Sequence, residues 1–101
     1  MKAIRPCYPE GKTKAFTLSY DDGTVEDRRL VPIFNKNKLK ATFHINSGPI
    51  LEGNGGRISK EEVKDLYAGH EISVHSVTHP FLDRCSRDVI AAEVLEDRRN
   101  L

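Results

Sequence analysis

Phe16-Thr17-Leu18-Ser19-Tyr20-Asp21-Asp22-Gly23 begins as an apolar run rich in aromatic and β-branched residues and ends in two carboxylates and a glycine. The run reads as a buried strand, with Asp-Asp-Gly at its carboxyl end. Neighbouring side chains at a strand end point in different directions, so Asp21 and Asp22 are free to take different tasks. One can hold a metal ion while the other takes a proton. Alone, the same letters also describe a turn into a helix, with Asp or Thr as its cap. The choice between the two is made further along the chain, at His75-Ser76-Val77-Thr78-His79.

Between these two stretches the chain alternates. Residues 1–14 carry Pro6, Pro9 and Gly11 and read as an extended lead-in with turns. Strand one is expected at about Ala15–Tyr20. A helix follows between Thr24 and Lys36, with Leu30, Val31 and Phe34 on one face. Pro32 suits a first helical turn and predicts a regular helix only from near Arg29. Strand two is Ala41–Asn46, with Ala41, Phe43 and Ile45 on one face and Thr42, His44 and Asn46 on the other. The longest loop, Ser47–Arg57, holds four of the seven glycines and is long enough to border a site. Ser59 and Glu62 have capping-box spacing for a helix that turns Val63 and Leu66 inward and stops at Gly69. Strand three is Glu71–Val74. A last helix runs from Ser86 as its cap to about Arg99, with Ile90, Ala91, Val94 and Leu95 as its buried stripe.

The order β-α-β-α-β-α predicts an α/β fold with parallel strands and helical crossovers. Functional residues of such folds gather at the carboxyl ends of strands. Here Asp21-Asp22, Asn46 and His75 occupy those three ends. His75 and His79 are four apart, and a helical turn after Val74 would bring their Cβ atoms to about 5–6 Å. Their ring nitrogens then converge on one ion, with Asp22 as a third, oxygen ligand. Two imidazoles and one carboxylate with open positions make a catalytic rather than a closed structural site. Asn46 reads equally as a substrate contact or as a loop hydrogen bond. His70 reads as a turn residue after a helix end, and His44 as a packed, hydrogen-bonded histidine.

Composition bounds the function. With 16 Lys+Arg against 15 Asp+Glu in 101 residues and no basic block, there is no electrostatic footprint for nucleic acid. No apolar run approaches a membrane span, so no membrane partner is expected. No apolar segment follows the N-terminal Lys2, which makes the cytoplasm the default if Met1 is the native start. Cys7 and Cys85 have no metal or redox spacing and are expected as free thiols.

The two motifs together resemble the polysaccharide deacetylases, carbohydrate esterase family four. Thr17-Leu18-Ser19-Tyr20-Asp21-Asp22-Gly23 is similar to their first motif, Thr-Phe-Asp-Asp-Gly, and His75-Ser76-Val77-Thr78-His79 to their second, His-Ser/Thr-x-x-His. Lys40-Ala41-Thr42-Phe43 and Gly69-His70-Glu71-Ile72 look like the connecting text of that family. The resemblance runs from about Ala15 to Leu101 and implies a distorted (β/α) barrel with a divalent metal, most often zinc. By position it makes Asp21 the general base and Asp22, His75 and His79 the metal ligands. It implies removal of N- or O-acetyl groups from a carbohydrate, although this chain has no Trp to offer a sugar ring.

Two departures qualify the match. Ser19-Tyr20 stand where Thr-Phe is usual. The later Arg-x-Pro-Tyr, Asp/Trp and Leu-x-His segments, the last of which supplies the catalytic acid, have no counterpart in Pro80–Leu101. The chain therefore reads as the first three βα units of a barrel, a partial catalytic domain at 15–101 from a fragment or truncated gene product, inactive alone. Open sheet edges are expected to favour self-association, with Phe16, Phe43 and Ile45 uncovered. The rival readings are hydrolysis of a small non-sugar amide and a non-catalytic metal-binding remnant. A phospho-receiver domain would need an Asp where His75 stands.

Overall fold

A computed structural model describes residues 3–101. Its centre is a three-stranded sheet in the order β1-β2-β3, formed by Ser19–Asp21, Thr42–Ile45 and Glu71–Val74. Both pairings are parallel, with Tyr20 opposite Phe43 and Phe43 opposite Ile72. The helices are α1 (Asp27–Lys36), α2 (Ser47–Leu51), α3 (Lys60–Leu66) and α4 (Arg87–Asn100). The α/β class and the parallel strands agree with the expectation from sequence.

The alternation along β2 sorts the two faces of the sheet. Phe43 and Ile45 are 1% and 0% exposed and join Val31, Phe34, Ile50, Ile58 and Tyr67 in one cluster. Burial of such side chains stabilises by roughly 1.5–3 kcal/mol each. The other face is polar: His44 Nε2 meets Ser19 Oγ at 2.9 Å, and Thr42 Oγ1 donates to Glu71 at 2.5 Å. Of the three side chains expected to be uncovered, Phe43 and Ile45 are buried, and only Phe16 is exposed.

Several elements differ from expectation, each for a local reason. Strand one is Ser19–Asp21 rather than Ala15–Tyr20, because among the described residues it pairs with β2 alone and that ladder begins at Ser19 opposite Thr42. A last bond, Thr42 N–H to Leu18 O, reaches one residue further back. Helix α1 begins at Asp27, two residues before Arg29, so Pro32 lies inside it rather than in its first turn. Asp27 is buried there, accepting a 2.6 Å hydrogen bond from the Tyr67 hydroxyl; burial raises its pKa. The segment Ser47–Arg57 is not all loop, since α2 occupies its first five residues. Helix α3 carries its capping box, with the Glu62 carboxylate accepting from Ser59 N–H at 2.8 Å. Arg28 donates twice to the same Glu62, and that pair is the main reason its pKa falls to about 2. Strand three and the Ser86 cap stand where the sequence put them. Both cysteines are unpaired.

The stripe expected along α4 is not buried. Ala91 and Leu95 are exposed, Ile90 and Val94 half-buried, and the one buried residue of this helix is Asp97.

His70 does more than end a turn. Its Nδ1 accepts from Ala41 N–H at 3.2 Å, its Nε2 meets Asn35 Oδ1 at 2.9 Å, and its ring lies edge-on to Phe43. An Nδ1 that accepts must be unprotonated, so the fold holds the neutral ring. Burial, with a smaller contribution from the Lys40 charge, lowers its pKa. The unfolded chain then binds the proton more readily, so this contribution to stability is complete above about pH 6.5 and is lost as pH falls through the folded value. Denaturation midpoints measured from pH 7.5 downward should fall more steeply in the wild type than in His70→Gln.

Candidate metal centre

Asp22 is the first residue past β1. Its N–H continues the ladder to His44 O at 2.7 Å, and its φ of 78° then turns the chain into the left-handed region. That switch between Asp21, extended, and Asp22, left-handed, separates two adjacent carboxylates. Gly23 follows at φ 63° and is buried; a Cβ there would lie 2.7 Å from Ile45 Cγ2. Only glycine fits, because both the backbone conformation and the space exclude a side chain.

The second motif is held differently from expectation. Residues 75–79 form no helical turn; they make a loop with Ser76 at φ 68° and His79 at φ 59°. His75 and His79 converge through these two left-handed residues. Their rings lie 4.8 Å apart, and their Nε2 atoms 3.1 Å apart. Asp22 Oδ1 is 3.4 Å from the His75 Nε2 and 3.6 Å from that of His79.

These three donors fit a divalent ion. Ligands at about 2.0–2.1 Å in a tetrahedron stand roughly 3.4 Å from one another, close to all three separations. Asp22 Oδ1 is itself buried and has no hydrogen-bond partner. A buried oxygen left this way is costly unless something positive meets it. Among the described residues these are the one group of three such side chains close enough to share an ion. On its other side, Arg57 Nη1 stands 3.8 Å from Asp22 Oδ2. Arg57 ends the glycine-rich Ser47–Arg57 segment, whose length predicts that it borders a site. That loop is tied in place by Ile58 N–H to Gly23 O at 3.1 Å and Val25 N–H to Gly56 O at 3.3 Å.

The remaining named residues take separate places. Asp21 lies next to the triad, exposed, and is not one of its three donors. Asn46 is 0% exposed. Its amide nitrogen donates to the carbonyl oxygens of His75 and Ser76, the second at 2.9 Å. These loop hydrogen bonds tie the end of β2 to the segment that carries the histidines. Gly48 donates to Val77 O at 3.0 Å, and a Cβ at Gly48 would collide with that carbonyl.

Comparison with known proteins points in one direction. A family model described as polysaccharide deacetylase matches residues 9–101. An uncharacterized protein of Bacillus subtilis, YlxY, is 31% identical over 90 residues, 85% of this chain and 25% of its own length. The peptidoglycan-N-acetylglucosamine deacetylase PgdA of Listeria monocytogenes is 27% identical over 97 residues, 93% of this chain and 20% of its own. Among solved structures, the Streptococcus pyogenes deacetylase PplD in complex with acetate superposes with a TM-score of 0.77 at 26% identity, covering 82% of this chain and 38% of that one. The peptidoglycan deacetylase PdaC from Bacillus subtilis shares the fold, with a TM-score of 0.67 at 21% identity, over 83% and 40%. The chain thus spans a quarter or less of the curated relatives and about two fifths of the solved chains.

Gly23 and Gly53 offer a controlled comparison, since both have positive φ but only Gly23 has neighbours within 4 Å of a Cβ. Gly53→Ala should cost about 1–2 kcal/mol, the left-handed penalty alone. Gly23→Ala should cost clearly more, because Ile45 must also move. Thermal melting of the two variants measures the difference.

Proposed function

The chain belongs to the polysaccharide deacetylase family, and from that premise we propose that residues 15–101, with 1–14 as their lead-in, carry the metal-and-base part of an acetyl hydrolase. The substrate class is an acetylated carbohydrate, and the bond cleaved joins the acetyl carbonyl to nitrogen or oxygen. The observation that carries this reading is the convergence of Asp22, His75 and His79 around an orphaned carboxylate oxygen. A carbohydrate esterase needs a Lewis acid there, and a histidine pair with one carboxylate suits zinc.

A divalent ion held by Asp22, His75 and His79 would polarise the acetyl carbonyl and lower the pKa of a water molecule. Asp21 is left to act as base because Asp22 is the carboxylate of the pair that converges with the histidines. Its carboxylate removes the proton as the water oxygen bonds to the carbonyl carbon. Collapse breaks the bond to the sugar nitrogen or oxygen, leaving acetate and a free amine or alcohol, which takes up a proton. The acid for that last transfer is not among the candidate residues, and its lack alone would cost about 10²–10⁴-fold in rate. The 101-residue chain is therefore expected to bind the ion and release no acetate above background.

Titration calorimetry with zinc tests the ligand set. One ion per chain is expected, with a large loss of affinity in His75→Ala and in His79→Ala. Stoichiometric binding that survives the double substitution would overturn the assignment. Asp21→Asn should keep the wild-type zinc affinity, because it removes a base and no ligand, whereas Asp22→Asn should weaken it.

A further inference from the structure

Two carboxylates of α4 face the loop that carries both histidines. Asp97 has no exposed surface; its Oδ2 accepts from His75 N–H at 2.8 Å and its Oδ1 from Ser47 N–H at 2.8 Å. Glu93, one turn earlier on the same helix face, accepts from Thr78 N–H at 2.8 Å and from Thr78 Oγ1 at 2.7 Å. The five-residue loop is thus gripped at its first residue and at its fourth. Between and beyond the two grips lie its left-handed residues, Ser76 and His79. Left-handed backbone at a non-glycine residue persists only where its surroundings over-determine it. Asn100, at the next position of the stripe, donates to Ser47 Oγ at 3.0 Å.

We propose that Asp97 and Glu93 are positioning residues for the metal centre, a reading that rests on the ligand set proposed above. They set the direction of the two histidine rings by fixing the backbone from which the rings project. Neither touches the three donors. Charge-assisted bonds to backbone N–H groups are about twice as strong as neutral ones, which suits a loop that must hold a strained path.

The chemistry of the partners gives the proposal a sharp signature. Asp97 receives two backbone N–H donors, and neither can reverse. In Asp97→Asn one of them must face the new NH₂ group, donor against donor. Glu93 receives one N–H and one hydroxyl, and a hydroxyl can also accept. In Glu93→Gln the carboxamide oxygen keeps the Thr78 N–H while its NH₂ donates to Thr78 Oγ1. The same change from carboxylate to carboxamide is therefore disruptive at 97 and tolerated at 93.

The experiment measures zinc affinity by calorimetry and amide hydrogen exchange of residues 75–79 in the full chain. The variants are Asp97→Asn, Glu93→Ala and Glu93→Gln, each with its thermal midpoint. Asp97→Asn and Glu93→Ala should each weaken zinc by about 10–100-fold and speed exchange at His75 and Thr78 respectively. Glu93→Gln should stay within about threefold of the wild type. Glu93 is only partly buried, so Glu93→Ala should keep a near wild-type midpoint; a purely structural residue would not lose zinc affinity at constant midpoint. If Asp97→Asn fails to fold, the two Glu93 variants decide. Unchanged zinc affinity and exchange in Glu93→Ala would overturn the proposal, as would a loss in Glu93→Gln equal to that in Glu93→Ala. Should the wild-type chain bind no zinc, the ligand set itself fails, and the exchange rates still decide whether the grip exists.

Discussion

A carboxylate with no exposed surface, Asp97, joins the end of β3 to the start of α2 through two backbone N–H groups. Burying a charge is expensive unless each lone pair finds a donor, so this group is held only because the two chain segments come together around it. The converse also holds. The N–H groups of Ser47 and His75 lie where neither helix nor ladder supplies an acceptor, and Asp97 satisfies both. The polar centre beneath the histidines, with Asn46 donating to two carbonyls beside it, is therefore a fixed frame rather than a packed apolar layer.

Strain is concentrated on that frame. Of the five non-glycine residues with positive φ among those described, three are Asp22, Ser76 and His79. All three lie in the segments that follow β1 and β3, and their turns let the side chain after β1 and two from the β3 loop meet within a few ångströms. The apolar side of the sheet supplies the rigidity for this. Ile45 closes the space over Gly23, so packing in the core and the path of the Asp-Asp-Gly turn are one constraint. A change in the core below would reach the candidate ligands above.

The two motifs were legible because their chemistry is local. Two carboxylates, a glycine, and two histidines at fixed spacing, placed after runs of apolar and β-branched residues, put donors at the ends of parallel strands whatever the exact bounds of those strands. The Ser59–Glu62 box and the Ser86 cap were legible for the same reason, since each depends on residues within one turn of the other. The family resemblance rests on the same short stretches, and the family model covers them.

What lay beyond the sequence was every feature that depends on a distant partner. Strand one is short because its neighbour begins late, not because Phe16 and Thr17 are poor strand residues. Helix α4 was expected to bury Ile90, Ala91, Val94 and Leu95, since apolar periodicity is the ordinary signal of a buried face. Its inward contacts run instead through Glu93, Asp97 and Asn100, spaced four and three apart as a helix face requires. That spacing is visible in the sequence, yet polar residues at such intervals ordinarily mark a solvated face. Only the tertiary structure brings unpaired N–H groups of a strand end, a short helix and a strained loop against them, and that need for acceptors draws the charged side inward.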